Sequence, residues 1–172
     1  QHISFLRQLQ KEMKEKNALD IPLESLKVVV FDLETTGFFP DRGDSVISIG
    51  AIKMIGAKIE EEKTFYSLVK SDIPLSEEIS TLTGIHDQEL ASAPEATDVL
   101  IKFLQFINSR TLVAHHANHE QAFMQKMSSK LLRTKFEHRI VDTSFLIRLT
   151  VPHIKSLSLE EACLQSGVKM KD

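Results

Sequence analysis

Val28-Val29-Val30-Phe31-Asp32-Leu33-Glu34-Thr35-Thr36-Gly37 decides how this chain is read. Four apolar residues in a row, three of them β-branched, predict a strand buried on both faces. Two acids then follow at i and i+2. Residues two apart on a strand point the same way, so Asp32 and Glu34 converge on one spot. Burying two carboxylates together costs several kcal/mol unless something positive neutralises them. Hard divalent cations with oxygen ligands are the usual partner. Alternatively, the two acids could only cap a strand and start a turn. Thr35, Thr36 and Gly37 offer hydroxyls, backbone N–H groups and close approach for a ligand.

The bulk of the sequence narrows the field. Its 172 residues suit one domain with a sizeable core. An apolar content of 42% and a charged content of 26% describe an ordinary globular protein. No run of apolar residues is long enough for a membrane span, and no signal pattern opens the chain. A lone cysteine, Cys163, cannot form an internal disulfide; this fits a reducing cytoplasm and predicts a packing role in a helix. A net charge of −3 argues against a protein that coats nucleic acid through phosphates alone. It leaves room for an enzyme gripping one or two terminal nucleotides, where metal ions supply local positive charge. Because the chain begins with Gln1, a piece of a longer protein is expected.

Phe5, Leu6, Leu9 and Met13 recur at helical spacing and predict an amphipathic helix over 4–16. Asn17 to Ser25, with Pro22, reads as a connector, so residues 1–25 form a leader and 26–172 the main domain. Packing of the leader on the domain is expected. Strands are predicted at 27–34, 45–54, 58–63 and 64–69, with a turn at Gly56. The segment 37–44 reads as a turn-rich loop. Helices are predicted near 76–82, 87–91, 95–108, 120–131, 143–149 and 158–166, with short strands at 111–114 and 140–142. Three antiparallel strands feeding an αβαβα series predict an α/β fold, a mixed sheet flanked by helices.

The string Asp32-x-Glu34-Thr35-Thr36-Gly37 resembles the first motif of the DEDD 3′→5′ exonucleases, in the His-bearing branch similar to the proofreading epsilon subunit of bacterial DNA polymerase III. The resemblance runs from about Lys27 to about Val168. It implies a ribonuclease-H-like fold and two divalent metal ions, Mg²⁺ or Mn²⁺. Within it, Asp32 and Glu34 are implied metal ligands.

Leu112-Val113-Ala114-His115-His116-Ala117-Asn118-His119-Glu120-Gln121-Ala122-Phe123 resembles the second motif. His115, Ala117 and Phe123 match the family. His116 stands where Asn is usual, His119 where Phe is usual, and Glu120 where a metal-binding Asp is usual. Glu120 keeps the charge on an arm one methylene longer, and could equally be an N-terminal helix acid favoured by the dipole. Mg²⁺ demands near-ideal octahedral geometry, so a preference for Mn²⁺ is expected. Three nearby histidines invite a zinc reading, but the H-E-x-x-H string is not completed. His115 and His119 are assigned to the substrate site and His116 to structure. Asp142 is expected to cap the next helix and support the site indirectly. Thr81-Leu82-Thr83-Gly84-Ile85 resembles the segment that wedges against the terminal base, which assigns Leu82 and Thr83 to substrate binding; read alone, it is a helix stop at Gly.

The third motif of the family supplies a general-base His and a fourth acid after a helix like 158–168. This sequence reads Lys169-Met170-Lys171-Asp172 there, and His153 lies too early. The 172 residues alone are therefore expected to be nearly inactive. The resemblance implies hydrolysis at the 3′ end of single-stranded DNA, with a DNA polymerase as candidate partner. An RNA 3′-end exonuclease and a non-catalytic module that binds nucleic-acid ends or a polymerase remain as alternatives.

Overall fold

The computed structural model describes residues 2–15, 20–151, 153–154 and 157–170. Lys16 and the start of the connector at Asn17, like Lys171 and Asp172, lie outside the described residues. One five-stranded sheet organises the chain, with strands β1 (Lys27–Thr35), β2 (Val46–Ile55), β3 (Lys58–Leu68), β4 (Thr111–Ala114) and β5 (Ile140–Asp142). Their order across the sheet is β3-β2-β1-β4-β5. β1, β2 and β3 pair antiparallel, while β4 and β5 add on parallel to β1. The mixed ribonuclease-H-like sheet expected from the sequence is the one observed.

Helices α1 (His2–Glu15), α2 (Glu77–Thr83), α3 (Asp87–Ala91), α4 (Ala96–Ile107), α5 (Asn118–Met127), α6 (Thr143–Thr150) and α7 (Leu159–Gln165) complete the fold. The main core lies on the sheet face that carries Val29, Phe31 and Leu33, against Phe103 and Leu104 of α4 and Phe123 of α5. The Phe103 ring lies 5.7 Å from that of Phe31 and 5.5 Å from that of Phe65. Burying such a ring contributes about 2–3 kcal/mol. Helix α1 lays Leu9 into this core, with Phe5, Leu6 and Met13 beside it.

Three expectations are corrected. The segments 58–63 and 64–69 form one continuous strand, because no turn residue separates Lys63 from Thr64; the irregularity falls instead on β2, between Ile52 and Met54. The helix expected over 120–131 ends at Met127 and continues as a π-helical turn, Ser128–Leu132, that closes with Arg133 in the left-handed region. β1 is covered along its whole length on one face only: Val29, Phe31, Leu33 and Thr35 are buried, while on the other face Val28 is buried, Val30 and Glu34 are half-buried and Asp32 is exposed. The second face thus opens past Val28, and that open stretch is where the acids sit.

Candidate active site

The end of β1 places Asp32 and Glu34 on the open face, opposite Gly50 and Ser48 of β2. A bulge between Glu34 and Thr35 then redirects the chain. Asp32 is exposed as a residue, yet the surrounding protein desolvates its carboxyl enough to raise its pKa. A backbone hydrogen bond at Leu33 and the fields of His119 and His115 oppose that rise. Burial also raises the pKa of Glu34, and the charge of Asp32 adds to it.

Glu120 enters from the first turn of α5 and is only 3% exposed. Its Oε2 atom is buried without a hydrogen-bond partner. Its pKa is pushed up to about 7, chiefly by burial and also by the fields of Asp32 and Asp142, with its own backbone N–H opposing them. A helix acid serving the dipole would face water. Glu120 instead faces the other acids with an oxygen left over. Orphaned buried oxygen and mutually repelling carboxylates are the donor chemistry that a hard divalent cation relieves. Among the described residues, no three His, Cys, Asp or Glu side chains are gathered closely enough to chelate an ion as they stand. The donor set fits a metal in chemistry, and closing on one requires the side chains to move.

Asp44 holds the Thr35–Phe39 turn from one side. Its Oδ1 accepts from the Thr36 hydroxyl at 3.2 Å and its Oδ2 from the Phe39 N–H at 2.9 Å. A Cβ on Gly37 would fall 2.4 Å from Asp44 Oδ2, so any larger residue there must displace the Asp44 carboxylate from its hydrogen bonds. From the other side, the Thr35 hydroxyl donates to the Gly37 carbonyl at 2.7 Å, and His119 Nε2 lies 3.3 Å from Thr35 Oγ1. The His119 ring also meets the rings of Phe38 and Phe123. Burial lowers its pKa, against the pull of Asp32. The sequence reading passed over Asp44; its available signal was an Asp closing a turn-rich loop just before a strand.

His115 and His116 converge on one carbonyl: Leu157 O accepts from Nε2 of each at 3.0 Å. The Thr143 hydroxyl lies 2.9 Å from His115 Nδ1. His116 occupies the left-handed region at φ 55, a cost of about 1 kcal/mol for a non-glycine residue. Asp142 N-caps α6 through Ser144 N at 2.8 Å and also accepts from His116 N at 3.1 Å. Although burial opposes it, these hydrogen bonds and those from the Ser144 hydroxyl and Ala117 N–H hold its pKa below the usual value. Leu82, 77% exposed, and Thr83 stand on a separate element, the last turn of α2. Thr83 uses its hydroxyl locally, donating to Ile79 O and accepting from Ile85 N. A cleft of about 390 Å³ runs over the open sheet face, lined by Asp32, Gly50, Ile52, His115, Thr143 and Leu159.

The profile of the RNase_T exonuclease family matches residues 29–171. The chain belongs to this exonuclease family. As a DEDD exonuclease domain, it is related to the exonuclease domains of polymerase III proteins. It is 39% identical over 132 residues, 77% of the chain, to the PolC-type DNA polymerase III of Caldanaerobacter subterraneus subsp. tengcongensis, and spans 9% of that protein. Over 155 residues, 90% of the chain, it is 34% identical to the PolC-type polymerase of Bacillus subtilis, spanning 11% of it. A DNA polymerase III subunit epsilon-like protein of Rhodobacter capsulatus is 28% identical over 158 residues, 92% of the chain and 22% of that protein. Among solved structures, exonuclease X bound to 5′-overhanging duplex DNA superposes with a TM-score of 0.65 at 22% identity, covering 84% of this chain and 75% of that one. Product-bound exonuclease I gives 0.74 at 14% identity, covering 86% and 40%. These structures share the fold. Enzymes of the DEDD family generally work with divalent metals. Among the described residues, no helix is long and apolar enough to cross a membrane.

Proposed function

We propose that this domain hydrolyses phosphodiester bonds at the 3′ end of single-stranded DNA, in the 3′→5′ direction, with Asp32, Glu34 and Glu120 holding two divalent ions, Mg²⁺ or Mn²⁺. The observation that carries this reading is the buried, unpartnered Oε2 of Glu120, which shares an electrostatic field with Asp32 on the open face of β1. When bound, the ions supply an activated water and a stabilised leaving oxygen.

The chain's own residues bind and orient the substrate. Glu34, beside Asp32, is placed to accept from the terminal 3′-hydroxyl. Thr35, Thr36 and Gly37 receive the terminal nucleotide on a turn braced by Asp44. His115 lines the cleft that holds Asp32, and His119 fixes the Thr35 hydroxyl. Leu82 offers an exposed apolar surface to the terminal base, with Thr83 shaping the helix end beneath it. Asp142 supports the site by fixing His116 and the start of α6. Residues 1–25 act as a leader, whose helix α1 packs on the exonuclease domain, residues 26–172. Matches to polymerase III proteins support DNA over RNA, a polymerase as partner and a cytoplasmic place of action.

The test uses the full-length protein with 3′-labelled and 5′-labelled single-stranded DNA and RNA, in Mg²⁺, Mn²⁺ or EDTA. The expected result is metal-dependent shortening of DNA from the 3′ end, abolished by Asp32→Ala. Shortening of RNA alone would change the substrate, and end-binding without cleavage would replace the enzyme with an end-binding module.

A further inference from the structure

We propose that Tyr66 is a stacking platform for a nucleobase beside the scissile phosphate; this rests on the exonuclease reading above. Asp32 of β1 pairs with Gly50 of β2, and Gly50 pairs with Tyr66 of β3. Directly opposed residues in antiparallel strands project from the same face, so Tyr66 stands on the open face with the acids. Neighbouring strands lie about 4.8 Å apart, which sets Tyr66 roughly 10 Å from Asp32 along the sheet. Between them Gly50 has no side chain. A Cβ there would meet the Tyr66 ring at 3.9 Å, so the ring flanks a bare lane of backbone that also lines the cleft beside Asp32.

Tyr66 is the only tyrosine in the chain and is 69% exposed. A lone exposed aromatic on an edge strand is ordinary. This one is set apart by its register with Asp32 and by the side-chain-free Gly50 between them. An exposed ring beside a phosphate-cleaving centre matches how single strands are held, by bases laid on aromatic faces without regard to sequence. The ring thereby fixes the approach of the strand, and the acids fix the phosphate.

Steady-state cleavage of single-stranded DNA by the full-length protein in Mn²⁺ tests this with wild type, Tyr66→Ala and Tyr66→Phe. Each substrate carries one abasic residue, scanned inward from the 3′ end. Tyr66→Ala is expected to raise KM about tenfold with little change in kcat, and Tyr66→Phe to restore it. An abasic residue at one position should erase the difference between wild type and Tyr66→Ala. An unchanged KM, a Phe variant as weak as Ala, or a penalty equal at all abasic positions would overturn the proposal. Fluorescence anisotropy with the same oligonucleotides reads binding without cleavage. A wild type that binds but does not cut sinks the exonuclease reading alone. Unaltered binding in Tyr66→Ala sinks this proposal alone, and no binding by wild type sinks both.

Discussion

His119 Nε2 lies 3.3 Å from Thr35 Oγ1, and this contact ties the first turn of α5 to the end of β1. Thr35 already donates its hydroxyl proton to the Gly37 carbonyl, so its oxygen accepts from the His119 N–H. The family's usual Phe at this position would fill the space without the bond. His119→Phe is expected to lower stability by about 1 kcal/mol, with His119→Gln recovering part of it. Urea denaturation checks this, and a Phe variant as stable as wild type would show that the contact contributes nothing.

Glu120 sets a pH dependence for the metal-free fold. Its carboxyl ordinarily titrates at 4.5 and in the fold at about 7, so between these values the folded state holds a proton that the unfolded state has released. Stability in EDTA therefore falls as pH rises through that window and levels off above it. The full effect is about 3 kcal/mol. Glu120→Gln should flatten the slope, leaving only the share of the raised Asp32 and Glu34 carboxyls, and be the more stable protein at pH 8. Denaturation at pH 5 and pH 8 reads it, and parallel curves for the two proteins would refute it.

The longer arm of Glu120 should show in metal choice. Wild-type activity is expected to be higher with Mn²⁺ than with Mg²⁺, because Mg²⁺ tolerates a displaced ligand poorly. Glu120→Asp should raise the Mg²⁺ rate, by up to ~100-fold if the displacement approaches 1 Å. Equal wild-type rates with both ions would sink the argument.

Gly37 and Asp44 should behave as a coupled pair. Gly37→Ala puts a methyl group 2.4 Å from Asp44 Oδ2, an overpacking expected to cost about 1–3 kcal/mol. Asp44→Ala loses two hydrogen bonds but opens the space. The double variant should therefore be less destabilised than the sum of the singles, and strict additivity in thermal unfolding would count against the contact.

The strand bearing Asp32 and Glu34 was legible because periodicity and composition act locally. So were the cap at Asp142 and the stop at Gly84, each set by a few neighbouring backbone groups. The opening of the second face of β1 past Val28 was not, because four apolar residues in a row do not show where the cover on each face ends. The meeting of His115 and His116 on Leu157 O joins residues more than forty positions apart, and no spacing rule reaches that far. Tyr66 becomes notable only once two strand registers are known, and Asp44 only once the turn it braces is seen.

The pairing of Asp32 with Gly50 also guards assembly of the sheet. A slip of one residue between β1 and β2 would turn Asp32 and Glu34 toward Phe103 and Phe123, and Phe31 and Leu33 toward water. Two unpaired carboxylates in that interior would cost far more than any gain from the shifted ladder. The acids proposed to cut DNA thus make misregistered chains unstable, so a substitution that disarms the site, such as Asp32→Ala, should also relax the fidelity with which the chain folds.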